Sequence, residues 1–360
     1  MKKLFTTLLL FVVAGSCYAA CGGSPLTGID STGGVDVSLQ IQLALNAALP
    51  KIGGSGSVSL APGFYRLESG LVIPESVTLC GTVEGPLEPL TPYLPTPPKL
   101  NDEPLPRIRG AMLLIAQNET PGVSLIGKSA GLRDLEFFYP GQVSVSASTP
   151  LPYPPTIQIN KPSTVSGITL VNAYDGVFIT QGRVTLKDSY IGALRNGITI
   201  DGPPDMVSID NINQSIWWDI AEGFNTPQAI DAWVMNNSNG MVVGRADSLH
   251  VSKMLVFSRR VGISFGVGAT GAGYGTFTDI DLDTIKIGIV AYSTNKPGFM
   301  FSNLNVGGGG VGYSALYFMT GAALQPRVFI SNGIARGPWS NGAIYAAPAG
   351  RLLLSNWVVE

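Results

Sequence analysis

The sequence predicts an all-β chain wound as a parallel β-solenoid of about ten coils, closed at its N-terminal end by one amphipathic helix. Three observations predict it. Ser-Asn pairs recur between apolar runs, in "FMFSNLNV" (299–306), "VFISNGI" (328–334) and "LLLSNWVV" (352–359). A second family of segments places Gly before a short apolar strand, as in "GVFIT" (176–180), "GITID" (197–201), "GISFG" (262–266), "GIVAY" (288–292) and "GAIYA" (342–346). The composition, 45 Gly and 13% charged residues in 360, is poor in charge against the roughly 25% of ordinary soluble proteins. A net charge of −2 with no basic stripe speaks against nucleic acid as a partner.

Taken in order, the N-terminus "MKKLFTTLLLFVVAGSCYAACGG" has the plan of an export leader over residues 1–20. Lys2 and Lys3 precede an apolar run from Leu4 to Gly15, and Ala19 and Ala20 offer small residues for cleavage. That run is shorter than the ~20 residues a membrane span requires, and no later segment reaches that length without charge or turn residues, so no transmembrane span is expected. Cys21 and Cys80 survive cleavage, and an oxidising compartment permits a bridge between them. A lipid anchor on Cys21 or Cys17 is the other reading, so secreted, periplasmic and envelope-anchored locations all stand. Residues 36–49 then carry the capping helix. Val37, Ile41, Ala44, Leu45 and Ala48 share one face, with Asp36 or Ser38 as N-cap.

Next comes "GSGSVSLAPGFYRLESGLVIPESVTLCGT" (54–82), in which Gly56, Val58, Leu60, Pro62, Gly63 and Tyr65 form a Gly-x-Val-x-Leu-x-Pro-Gly-x-Tyr strand. With the preceding "GIDSTGGVDVSLQIQLALNAA" (28–48), this stretch resembles the opening of the pectate-lyase-superfamily right-handed parallel β-helix proteins, which include rhamnogalacturonase/epimerase-like domains and phage tailspikes. The resemblance implies a single right-handed β-helix domain over 21–360 and a polysaccharide as ligand, bound outside the helix between variable loops. Pro-rich stretches at 86–106 and 140–155 are expected to be such loops, because proline cannot donate to a strand ladder.

The remaining coils are counted by a polar column: Asp134, Gly167, Asp188, Asn211, Asn236, Lys253, Asp279, Asn303, Asn332 and Asn356. Its steps range from 17 (Asn236 to Lys253) to 33 (Asp134 to Gly167), as expected when strands are fixed and turns vary. Asn tolerates a left-handed turn, and its amide can bond the Asn one coil away. The column is therefore expected to be an internal, mutually satisfied ladder. The chain reaches Glu360 in mid-coil, so its last edge is expected to be covered by a partner subunit, left exposed, or continued in a longer chain.

Chemistry is expected where the repeat breaks. The stretch 195–231 concentrates Arg195, Asp201, Asp205, Asp210, Asp219, Glu222 and Asp231 beside Trp217, Trp218 and Trp233. Carboxylates can move protons, and flat rings stack on sugars. Asp201, Asp205, Asp219, Glu222 and Asp231 are thus the candidate catalytic residues. Trp217, Trp218, Trp233 and Arg195 are the candidate substrate-binding residues. "TDIDLDT" (278–284) places Asp279, Asp281 and Asp283 on one strand face, which suits Ca²⁺ only poorly because alternate positions lie about 7 Å apart. No other cofactor or metal is expected. Arg259 and Arg260 offer charge to an acidic polysaccharide. The lone His250 reads as a surface strand residue.

Two functions follow. One is an exported polysaccharide lyase, hydrolase or epimerase. The other is a non-catalytic glycan-binding or surface β-helix, whose apolar strand face suits a homotrimer seam. The Gly-His-Gly motif and paired aspartates of polygalacturonase-type enzymes are absent from the sequence, which weighs on the first.

Overall fold

The computed structural model describes residues 21, 24–50, 54–82, 99–100, 103–104, 110–142, 148–215, 228–310, 312–319, 325–346 and 350–360. Among the described residues twenty-two strands join into one continuous sheet, and every pairing within it is parallel. The chain is a parallel β-helix. The leader 1–20, Asp219, Glu222, Trp217, Trp218 and most of 86–106 lie outside the described residues.

Each full coil contributes three strands, one more than the repeats alone require. One coil runs from Leu249–Ser252 on a first face, through Met254–Phe257 on a second, to Arg259–Phe265 on a third. Register carries each face through the molecule. The first face stacks Gly56, Val77, Ser163, Val184, Val207, Leu249, Gly275, Phe299, Val328 and Leu352. Its rung at Ala130–Arg133 pairs with strands on both sides. Alternation then sends Val251, Phe277 and Phe301 inward to one continuous core. Within it Phe265 stacks on Phe299 at 3.9 Å and Phe277 on Phe301 at 4.6 Å.

The bend from the first face to the second is made by a single residue in the left-handed region. Asp134, Gly167, Asp188, Asn211, Lys253, Asp279, Asn303, Asn332 and Asn356 occupy it, with φ between 51° and 64°. Nine of the ten column residues therefore stand where the sequence puts them. The tenth, Asn236, belongs instead to a helix, α2 (Gln228–Asn237), so one long coil joins Asn211 to Lys253. The expected internal ladder is also corrected: it runs along the outer surface. Asn303, Asn332 and Asn356 are exposed, and each amide bonds the coil before it, to Asp279 (2.8 Å), Asn303 (3.5 Å) and Asn332 (3.0 Å) respectively. The corner needs a residue that tolerates positive φ.

The Gly column has a separate cause. A Cβ on Gly197 would lie 2.6 Å from the carbonyl oxygen of Gly240, and one on Gly240 2.7 Å from that of Gly262. Successive coils approach too closely there for any side chain.

At the N-terminal end α1 (Ser38–Ala47) buries Ile41 and Leu45 beside Val37, with Ala44 and Ala48 against the same core. Asp36 accepts hydrogen bonds from the Ser38 backbone N–H (3.0 Å) and from Glu68 N–H (3.1 Å), tying the helix entry to the next coil. Cys21 and Cys80 form a disulfide with Cα atoms 6.2 Å apart, and Leu26 N–H bonds Ser59 O at 2.7 Å. No helix among the described residues is long and apolar enough to cross a membrane.

Candidate functional site

Strand positions stay fixed while the connections between them vary, and the two longest connections at the second-to-third corner are departures from the coil. The chain leaves the second face after Phe138 and rejoins the third at Pro155–Ile159. It leaves again after Gln214 and rejoins at Asn239–Val243. Between them lie coils that turn this corner without an excursion, giving third-face segments at 175–179 and 196–200. These two departures bracket a pocket of about 340 Å³. Pro155, Gln158, Asp175, Phe178, Arg195 and Asn196 contribute to its lining.

The first departure is held at its base by side chains that imitate backbone. Asn172, at φ 48°, accepts from Tyr139 N–H at 3.0 Å and donates to Tyr139 O at 3.1 Å. Gln142 makes the same reciprocal pair with Leu151 at 2.8 and 2.9 Å. The Tyr139 hydroxyl meets Thr156 Oγ1 at 2.7 Å, and the ring of Tyr153 packs edge-on against that of Tyr139. Burial pushes the Tyr139 phenol well above its usual range, so it stays neutral.

The second departure returns through α2, whose Ile230 and Val234 pack on Leu194. Trp233 from that helix lies 6.2 Å from the ring of Tyr174, and the guanidinium of Arg195 sits 4.6 Å over the same ring. Arg195 is clamped in turn by Asp175. Its Nε donates to Oδ1 at 2.8 Å and its second nitrogen donates to Oδ2. Hydrogen bonding to Asp175 raises the pKa of Arg195 against the opposing cost of burial. A bidentate pair over an aromatic ring fixes the guanidinium plane, which a lysine could not reproduce. A polar row continues from it: Asn239 Nδ2 donates to Asn196 Oδ1 at 2.8 Å, and Arg260 donates to Asn239 Oδ1 at 3.1 Å. The pocket thus offers a fixed cation, carboxamides and the half-buried ring of Phe178, an apolar residue beside a few placed polar groups.

The candidate residues of the sequence fall into separate places. Arg195 and Trp233 meet through Tyr174. Asp231 lies on α2, and burial pushes its carboxyl above the usual range. Asp201 stands at the end of its third-face strand and accepts the N–H groups of Arg245 and Ala269, both at 3.1 Å, binding three coils together. Asp205 pairs with Arg183 at 2.7 Å and accepts Met206 N–H at 2.8 Å in an exposed turn. Arg259 does not face solvent: it is fully buried. His250 is exposed and bonds Ser248 and Thr276. Among the described residues no three His, Cys, Asp or Glu side chains gather closely enough for a metal ion. Sequence reasoning missed Asp175, Asn196 and Tyr174, whose importance depends on coil stacking. The 20-residue spacing of Asp175 and Arg195, close to one coil, was the available signal.

No family model matches the sequence, and no curated protein matches it either. Solved structures do. A tailspike protein of E. coli bacteriophage HK620, solved in complex with a pentasaccharide, aligns with TM-score 0.52 at 10% identity over 92% of this chain and 64% of that one. The Dettilon tailspike protein aligns with TM-score 0.50 at 11% identity over 90% and 66% respectively. This chain therefore spans about two thirds of each tailspike, and at such identities the likeness is one of fold: a parallel β-helix, in keeping with the resemblance of residues 28–82.

Proposed function

We propose that this protein is an exported polysaccharide-binding β-helix whose glycan enters the pocket between the two departures. The observation that carries the reading is the clamped Arg195–Asp175 pair on Tyr174, set against Trp233 and beside the half-buried Phe178. Sugars present apolar CH faces and hydroxyl rims, and this pocket sets the ring of Phe178 beside the N–H donors of Arg195 and Asn196 accordingly. The leader at 1–20 and the Cys21–Cys80 bridge support export. The tailspike solved with a pentasaccharide supports the ligand class by analogy of fold.

A catalytic version of this reading is favoured by Asp231. Burial raises its carboxyl, as a proton donor requires, and a hydrolase or lyase would need a second carboxylate, for which Asp201, Asp205, Asp219 and Glu222 are the candidates in the sequence. The test takes the mature protein and a panel of acidic and neutral polysaccharides, with binding followed by calorimetry, and unsaturated products and reducing ends followed in parallel. Trp233→Ala and Phe178→Ala are each expected to weaken binding about tenfold, the loss of roughly one stacking contact. Retained affinity in both variants would falsify the placement. Product release that vanishes in Asp231→Asn, with binding intact, would establish the catalytic version; binding without products leaves a lectin-like role.

A further inference from the structure

The surface ladder has a property that backbone geometry does not require. The left-handed corner is occupied elsewhere by Gly167, Asp134 and Lys253. Yet at three successive rungs near the C-terminal end the residue is asparagine, and those rungs line an open groove of about 360 Å³. Asn303, Asn332 and Asn356 form its corner wall, and Asn305 and Ile334 stand on the second face as its floor.

None of the lining residues is charged. The amides are partly used by one another: Nδ2 of Asn332 donates to Asn303 at 3.5 Å, and Nδ2 of Asn356 donates to Asn332 at 3.0 Å. A carboxamide offers two N–H groups and two lone pairs, so each exposed rung keeps a donor and an acceptor for another molecule. Asn305 is oriented from both sides. It donates to Asp281 at 2.6 Å and accepts from Arg336 Nε at 3.1 Å, so a carboxylate and a guanidinium that do not line the groove fix its amide. Rungs repeat every 4.7–4.9 Å, about the length of one pyranose ring. All amides point the same way along the axis, so the groove has a direction as well as a period.

We propose that this carboxamide-lined groove binds a neutral polysaccharide chain lying along the helix axis, with hydroxyls on the asparagines and a CH face on Ile334. The proposal rests on the polysaccharide reading above and adds a second contact surface, distant in sequence from Arg195 and chemically unlike it. It assigns the groove a substrate class, uncharged polymers of pyranose sugars, that the Arg195 pocket does not specify.

The test uses the full mature chain with malto-, cello-, manno- and xylo-hexaose, and oligogalacturonate as the acidic counterpart. Hydrogen exchange is followed over 299–307, 327–336 and 351–359. A neutral oligosaccharide is expected to protect these strands. Substitution of Asn303, Asn332 and Asn356 by glycine keeps the corner conformation and removes the amides; it is expected to weaken that binding at least tenfold. Asn332→Asp, which also tolerates the corner, serves as a second variant and is expected to weaken it too. Trp233→Ala is expected to leave this protection unchanged. Unchanged affinity in the glycine and aspartate variants, or protection confined to 155–200, overturns the groove assignment alone. Self-association abolished by the same glycine substitutions also overturns it, because the groove is then a contact between copies. No glycan binding anywhere on the wild-type chain overturns both this proposal and the function it rests on.

Discussion

At Lys253 the chain holds a bulky side chain at φ 51°, in a corner where seven other coils use Asp or Asn. Left-handed conformations cost an ordinary L-residue about 1–2 kcal/mol, and Asn less. Its ammonium reaches Asp210 only at 4.0 Å across an exposed surface, so little is lost on replacing it. Lys253→Asn is expected to stabilise the protein by about 1 kcal/mol, read as a shift in denaturation midpoint. Arg259 is a larger local cost. Its guanidinium is fully buried with none of its nitrogens hydrogen-bonded among the described residues, and desolvation lowers its pKa to about 10. Arg259→Met is expected to raise stability by about 1–4 kcal/mol at neutral pH. The sign with pH follows from the lowered value. Above about pH 10 the folded state releases its proton before the unfolded state does, so the wild type gains stability as pH rises there, and the Met variant does not. A urea series at several pH values checks both statements. The left-handed corners were legible in the sequence because Asn and Asp are the residues that tolerate them. The buried arginine was not, since burial at a corner is decided by the coil stacked above.

The elements divide along a similar line. α1 was legible because its apolar positions keep a helical period, and its observed span, Ser38–Ala47, sits inside the expected 36–49. α2 was not: "AWVMNNS" has an apolar alternation close to that of a strand, and only the packing of Ile230 and Val234 on Leu194 settles it as helix. The candidate site was legible in part. The irregular stretch drew notice to Arg195 and Trp233, whereas Asp175 and Tyr174 sit in an ordinary coil and gain meaning only from the rung beside them. At the N-terminal strap, the cysteine pair closes a separation of 59 residues. Chain-entropy arguments put such a cross-link at about 4 kcal/mol. Cys80→Ser is expected to lower stability by about 2–4 kcal/mol. Intact mass with and without reductant checks that the wild-type thiols are paired.

Across the whole molecule each coil touches mainly its neighbours, so stability is close to a sum of coil and interface contributions. Phe277→Ala opens a void between Phe265, Phe299 and Phe301, and is expected to cost about 3–5 kcal/mol. Hydrogen exchange should locate that loss in the coils at 249–307 and leave the N-terminal coils protected; uniform loss of protection would show instead that the helix unfolds as one unit. The final rung, Arg351–Val359, is exposed at six of its nine residues, with Leu353, Val358 and Val359 each more than half accessible. The disulfide gives the solenoid a mechanical asymmetry. Drawn out by its two ends, the chain would pass tension from Cys21 through sulfur to Cys80, and the intervening residues, about 200 Å of extended chain, would carry none of it. The capping helix and the first coils would stay slack under a load that peels the other end rung by rung.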